Sequence, residues 1–230
     1  MNLRIIKNKI KLFIRVVIGK DLFEKLYLRR EVGYWPDIKT PGTFFEHISY
    51  LKLYDKNPLY VEIYDKYAVR EYVRQRIGKD YLSRIYGVVD NLGDLPVDLP
   101  DSFVVKAAYG SGINYFVEDY SPAKRKEILL LIEKMLRTRH LYGELSGQWW
   151  YKEIPRRLII EERIYDKVYE VPINYKFYCF GGKSYFIQVD SDRFGDYTRT
   201  FYDCSWNKQD FTFTYPTQTC CLFRESLKKW

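Results

Sequence analysis

Cysteine and histidine are scarce in this chain. Cys179, Cys204, Cys220 and Cys221 form no C-x-x-C pair, and only His47 and His140 are there to join them. That set supports neither a zinc site nor a disulfide framework, and a reduced, cytosolic setting is the simplest expectation. Long apolar runs are missing as well. In the first twenty residues, MNLRIIKNKIKLFIRVVIGK, the longest, Leu12 to Ile18, is broken by Arg15. Such a run is too short to span a bilayer, and no small-residue cleavage site follows to mark a signal peptide. There is no internal repeat and no low-complexity tract. Gly110-x-Gly112 lacks the third glycine at a helix start that the dinucleotide fingerprint requires.

What is present is a core-forming composition with a positive balance. The 230 residues are 47% hydrophobic and 18% aromatic, including 23 tyrosines, which excludes a disordered chain. The net charge of +8 favours an anionic partner: a nucleotide, a nucleic acid, a polyanionic glycan or a membrane surface. Nucleic acid is not expected, because the basic residues are not interleaved with aromatics in a recognised RNA-binding motif. The first twenty residues carry six cations and no acid. They read either as a basic amphipathic segment lying on a membrane surface or as an ordinary packed helix.

Residues 43–78 carry helical spacing. Asp65 is placed to cap a helix whose apolar positions are Val69, Tyr72, Val73 and Ile77, with Gly78 as its stop. Residues 84–90 read as a short strand. The Pro- and Asp-rich stretch NLGDLPVDLPDS then suggests a boundary near residue 100, between a mainly helical section 1–100 and a core 101–215. In that core SFVVKAA and INYFVED flank a glycine turn as two strands, and Ser121-Pro122 opens a helix with Ile128, Ile132, Met135 and Leu136 on one face. RRLIIEERI, INYKFYCF and SYFIQVD follow as β-rich runs, the last two joined at Gly181-Gly182-Lys183. The pattern is α+β rather than alternating βαβ.

Three features carry chemistry. Lys106 ends a strand just ahead of Gly110-Ser111-Gly112. A lysine ammonium is a compact donor to a phosphate oxygen, and glycines let backbone N–H groups approach the remaining oxygens; a plain hairpin with an exposed lysine is the bland alternative. Glu161 and Glu162 end an apolar strand, either as a solvated strand end or as a linker that meets a nucleoside. Asp65-Lys66-x-x-x-Arg70 sets cations on a helix before the boundary.

In this order and separation the three features resemble an ATP-grasp enzyme, and more narrowly the TupA-like ATP-grasp family associated with bacterial surface polysaccharides such as teichuronic acid, capsule and O-antigen. The resemblance runs from about residue 50 to residue 215, through KNPLYVEIYDKYAVREYV, FVVKAAYGSG, RLIIEERI, NYKFYCFGGKSYFIQVDSDRF and FYDCSWNKQDF. It implies an ATP-grasp fold with a two-lobed nucleotide-binding region, and ATP and magnesium as cofactors. Arg70 and Lys106 would be phosphate-binding cations, with Gly110, Ser111 and Gly112 as the mobile turn. Glu161 and Glu162 would form the adenine-binding hinge. Asn174 stands where an acid for the ribose is expected, and an amide still hydrogen-bonds a hydroxyl. Lys176 and Arg193 would be catalytic, Arg193 neutralising a phosphate or a substrate carboxylate.

The tail 216–230, PTQTCCLFRESLKKW, holds a single acid, Glu225, and no acid-x-amide strand. The late metal ligands that the family implies are not found there, which leaves Asp190 and Asp192 to hold magnesium and makes a shortened or frame-shifted copy, slow in ATP turnover, the expectation. The resemblance implies a ligase that activates a carboxylate as acyl phosphate for an amine or similar nucleophile on a saccharide or amino acid. Such a protein would be cytoplasmic, or peripheral at the inner face of the membrane. The alternatives are a glycosyltransferase of the same pathway and a non-catalytic derivative of the fold.

Overall fold

Alternation along two short strands organises the larger part of the chain. In β2 (Phe103–Ala107) the side chains of Phe103, Val105 and Ala107 are wholly buried, and in β4 (Leu158–Glu161) so are Leu158 and Ile160. Successive side chains of a strand point to opposite faces, so these five share one face of the sheet, and Val104, Lys106, Ile159 and Glu161 share the other. The sheet is four-stranded and antiparallel, in the order β1-β4-β2-β3, with β1 at Ile85–Val89 and β3 at Asn114–Val117. Helix α6 (Pro122–Arg137) buries Ile128 and Ile132 in the same core as Phe103, Val105 and Leu158. Each such side chain taken from water contributes roughly 1.5–3 kcal/mol.

The computed structural model describes residues 3–138, 142–166 and 171–217. The chain divides into two compact units, Met1–Arg163 and Ile164–Trp230. In the first, five helices precede the sheet: α1 (Leu3–Ile18), α2 (Lys20–Val32), α3 (Phe44–Leu53), α4 (Leu59–Tyr64) and α5 (Ala68–Ile77). Helix α3 starts at a capping box: the Thr43 side chain accepts from the Glu46 N–H, and the Glu46 carboxylate accepts from the Thr43 N–H. Helix α5 starts one turn after Asp65, whose carboxylate accepts from the Tyr67 N–H, and it stops at Gly78, where φ is +97°. A short helix α7 (Tyr142–Ser146) and a 3₁₀ turn (Trp149–Lys152) lead into β4. The stretch near residue 100, where the sequence suggests a boundary, lies inside this first unit, since β1 ahead of it and β2, β3 and β4 after it are one sheet. Helix α1 is not long and apolar enough to cross a membrane, nor is any other helix among the described residues.

The second unit is an antiparallel meander of β5 (Asn174–Phe180), β6 (Lys183–Ser191) and β7 (Thr198–Asp203). Gly181 and Gly182, at φ +54° and +77°, make the two-residue turn between β5 and β6. Strand β7, in TRTFYD, was not among the expected strands. One face of the meander is apolar, with Ile187 and Val189 packed by Tyr175, Tyr202 and Trp206. The other face combines Phe201, buried against Tyr178, Phe211 and Phe213, with a polar cluster built round Asp190, which is fully buried. Its carboxylate accepts from Lys176 Nζ at 2.7 Å, Arg199 Nε at 2.8 Å and Gln188 Nε2 at 2.8 Å. Gln188 Oε1 in turn accepts from the Tyr178 hydroxyl at 2.8 Å. Burial works to raise the Asp190 carboxyl, but the bonds from Arg199, Lys176, Gln188 and Tyr197 outweigh it and hold its pKa down at about 2.

A depressed carboxylate stabilises the folded state above its unfolded pKa, near 3.9, and that contribution is lost as pH falls through the folded value. Urea denaturation of the second unit should therefore lose on the order of 2 kcal/mol between about pH 4 and pH 2. Asp190→Asn should cost about 3 kcal/mol at neutral pH, by stranding Arg199 and Lys176, and should flatten that acid limb. An unchanged acid limb in the variant would show that Asp190 is not the titrating group.

Candidate functional site

On the face of the first sheet turned away from α6, Lys106 and Glu161 meet. They are not cross-strand partners, because Lys106 lies opposite Ile159 and Glu161 opposite Val104, so the pair runs diagonally between β2 and β4. Lys106 Nζ is 3.1 Å from Glu161 Oε2, with the Glu161 side chain 13% exposed and that of Lys106 29% exposed. The other oxygen of Glu161 accepts from the Ser83 hydroxyl, and Arg70 on α5 donates to the Ser83 carbonyl and, at 3.4 Å, to its hydroxyl. One carboxylate and one serine thus connect the two cations, Arg70 and Lys106, that the sequence analysis singled out.

Lys66 is a third cation at the same place. It precedes α5 and donates from Nζ to the carbonyls of Ala107 at 2.9 Å and Gly110 at 2.6 Å, while its backbone N–H donates to the Ala108 carbonyl at 3.1 Å. It therefore holds the near end of the glycine turn. Burial pushes its pKa down, and the neighbouring Lys106 adds to that against the pull of Asp65 and Glu161. Asp65 compensates only in part, since its buried carboxylate pairs with Arg157 at 2.5 Å. Arg157 also lies over the Tyr67 ring, and its carbonyl accepts from the Ala108 N–H. Three cations gather round one carboxylate, Glu161, whose oxygens already serve Lys106 and Ser83, and this surplus favours an anion.

The turn itself suits an anion's oxygens. The Ala107 N–H donates to the Ile113 carbonyl and closes residues 108–112 into a loop. Gly110 and Gly112 take φ of +84° and +75°, a region that strains any residue with a Cβ. Ser111 between them is exposed.

The other expected residues are placed as follows. Glu162 does not join Glu161: its carboxylate accepts from the Arg84 N–H at 3.2 Å and its own N–H donates to the Arg84 carbonyl, which extends the β1 pairing. In the second unit Asn174 lies opposite Asp190 across the β5–β6 ladder. Lys176 commits its ammonium to Asp190. Asp192, at φ +49°, accepts from the Asp196 N–H and shapes the turn that follows β6. Arg193 is exposed and forms no ion pair among the described residues.

A magnesium ion does not fit Asp190 and Asp192 as they stand. Two cationic side chains already occupy the Asp190 oxygens, and Asp192 is engaged with its own turn. Among the described residues no group of three or more His, Cys, Asp or Glu side chains could hold a metal ion. Glu225, in the tail, lies outside the described residues.

Ser83 and Arg199 carried no signal in the sequence. Lys66 did carry one, standing within the Asp65–Arg70 motif, but its partners are backbone oxygens that no residue pattern announces. Lys66→Met keeps the stem and removes the donors, so amide exchange at residues 110–112 should quicken while the sheet stays protected, with a loss of about 1–3 kcal/mol in stability. Unchanged exchange in the turn would mean that Lys66 does not anchor it.

A family model described as TupA-like ATPgrasp matches residues 46–225. The match continues ten residues past Tyr215, where the resemblance was expected to end. No curated protein and no solved structure matches the chain. With the model covering well over half of its length, the chain belongs to the TupA-like ATP-grasp family.

Proposed function

We propose that this protein is an ATP-dependent ligase of the ATP-grasp type, acting in bacterial surface polysaccharide biosynthesis, with Lys106, Arg70 and the turn at residues 110–112 holding the nucleotide phosphates. The observation that carries this reading is the single carboxylate, Glu161, among the three cations Lys66, Arg70 and Lys106 beside a turn with two positive-φ glycines. ATP, when bound, would supply the phosphoryl group that turns a substrate carboxylate into an acyl phosphate, open to an amine or similar nucleophile on a saccharide or amino acid. Without an anion, Lys106 rests on Glu161. With one, the ammonium exchanges a carboxylate for phosphate oxygens at little cost in desolvation, because it is charged and partly buried in both states.

Each of this chain's residues then has a separate task. Lys106 and Arg70 offset phosphate charge, the backbone of the turn donates N–H groups, and Lys66 keeps the turn in place from behind. Glu161 and Glu162 are proposed to position the nucleoside at the end of β4. Arg193, exposed and without an ion pair among the described residues, is proposed to meet a phosphate or a substrate carboxylate. No step is assigned to a metal ion, for which Asp190 and Asp192 offer no fitting ligand set.

Thermal denaturation with and without nucleotides tests this. ATP at a hundredfold excess over its dissociation constant should stabilise the protein by about 2.7 kcal/mol, and a UDP-sugar should do markedly less. Lys106→Ala should leave the fold intact and weaken ATP binding by about 1.5–3 kcal/mol. Equal or greater stabilisation by the UDP-sugar would favour a sugar transferase instead, and ATP binding unchanged in Lys106→Ala would remove Lys106 from the site.

A further inference from the structure

Helix α1 is built inside out. Its inner side carries Lys11 and Arg15, which lie against α2: Lys11 Nζ is 4.9 Å from the Tyr27 ring centre and 5.9 Å from that of Phe23, and the Arg15 guanidinium is 6.0 Å from Phe23. Its outer side carries Ile10, Phe13, Ile14, Val16 and Val17, all exposed, Phe13 at 69% and Val16 at 81%. At 3.6 residues per turn, Ile10, Phe13, Ile14 and Val17 fall within about 100° of arc, with Val16 beside them and Lys7 and Lys9 at the two borders. Helices that cover a core show the reverse arrangement.

Beside this face opens a basic cleft of about 650 Å³. Arg15, Val16 and Lys20 line it from the α1 side, together with Lys52, Lys56 and Lys152, and Glu153 is the one acid in its wall among the described residues. Lys52 is paired with the buried Glu24 of α2 at 2.7 Å. Lys56 lies 4.9 Å above the Trp149 ring, and burial followed by the Lys20 charge lowers its pKa. The walls therefore hold a cation surplus at a place where the apolar face, through Val16, meets the cleft.

We infer that α1 docks this protein on a bilayer rich in anionic phospholipid, its outer apolar face entering the interface and the adjoining cleft receiving headgroup phosphates. Charge selects this occupant. A second copy seated on the same face would bring Lys7, Lys9 and Lys20 against their own counterparts, and like charges at close range repel, whereas an anionic lipid surface attracts every cation on this side and accepts the apolar side chains between them. The inference is independent of the nucleotide site, which lies on the sheet.

Co-sedimentation of the full chain with vesicles tests it, using phosphatidylcholine alone and phosphatidylcholine with phosphatidylglycerol at about one lipid in three. Binding is expected to the second and not to the first, and to fall as salt is raised. Phe13→Glu with Val17→Glu should lower the bound fraction by about tenfold or more, as should Lys56→Glu with Lys152→Glu. These side chains are at the surface, and unchanged circular dichroism would confirm the fold of each variant. The inference is overturned by an absence of binding to the anionic vesicles, by binding that survives Phe13→Glu with Val17→Glu, which would reflect net charge alone, or by a concentration-dependent dimer that this double variant abolishes.

Discussion

The carboxylate of Glu161 is the point on which the first unit turns. Placed at the last position of β4, it lies on the face opposite the buried Leu158 and Ile160, and there it answers Lys106 with one oxygen and Ser83 with the other. Without it, Arg70 and Lys106 would lose the carboxylate that links them, and Lys66 beside them would be left with the pull of Asp65 alone. The apolar face of the same strand does the complementary work. By fixing Leu158 and Ile160 in the core it fixes the register that aims Glu161, because a slip of one residue in β4 would exchange the two faces. Packing on one side of the sheet thus decides electrostatics on the other.

The second unit uses a buried carboxylate for a different end. Asp190 accepts from three side chains, and these, Lys176, Gln188 and Arg199, come from all three strands of the meander. A buried charge held this way specifies pairing more than it adds net stability, since a slipped strand would leave Asp190 or Arg199 unmatched. An acid at the end of a strand in an ATP-grasp sequence invites a metal assignment from its position alone. What separates a metal ligand from a structural hub is whether cations already fill its oxygens, and position in the sequence does not reveal that.

Much of the architecture was legible from local chemistry. The glycine stop at residue 78, the Ser121-Pro122 start of α6, the strands on either side of the glycine turn and the Gly181-Gly182 hairpin all follow from backbone preferences that act over a few residues. Strand β7 was not read, because TRTFYD sets a charged residue, Arg199, on a buried face, and only the Asp190 opposite it makes that tolerable. The nearness of Lys106 and Arg70 was legible through the family resemblance, while the link between them through Ser83 was not, since a lone serine thirteen residues from Arg70 carries no pattern. The outward apolar face of α1 was legible as amphipathy, but which side faced the protein depended on α2 offering the rings of Phe23 and Tyr27 to cations.

The three bonds from Lys66 to the turn all end on main-chain oxygens, at Ala107, Ala108 and Gly110. Every amino acid supplies such an oxygen, so the link constrains position 66 and leaves the identities at its partner positions unconstrained by it. Correlated substitution between aligned sequences, which reports contacts between side chains that must change together, would be blind to this tie. It would show instead as a single invariant column at position 66 with no companion, easily taken for a residue that contacts ligand directly.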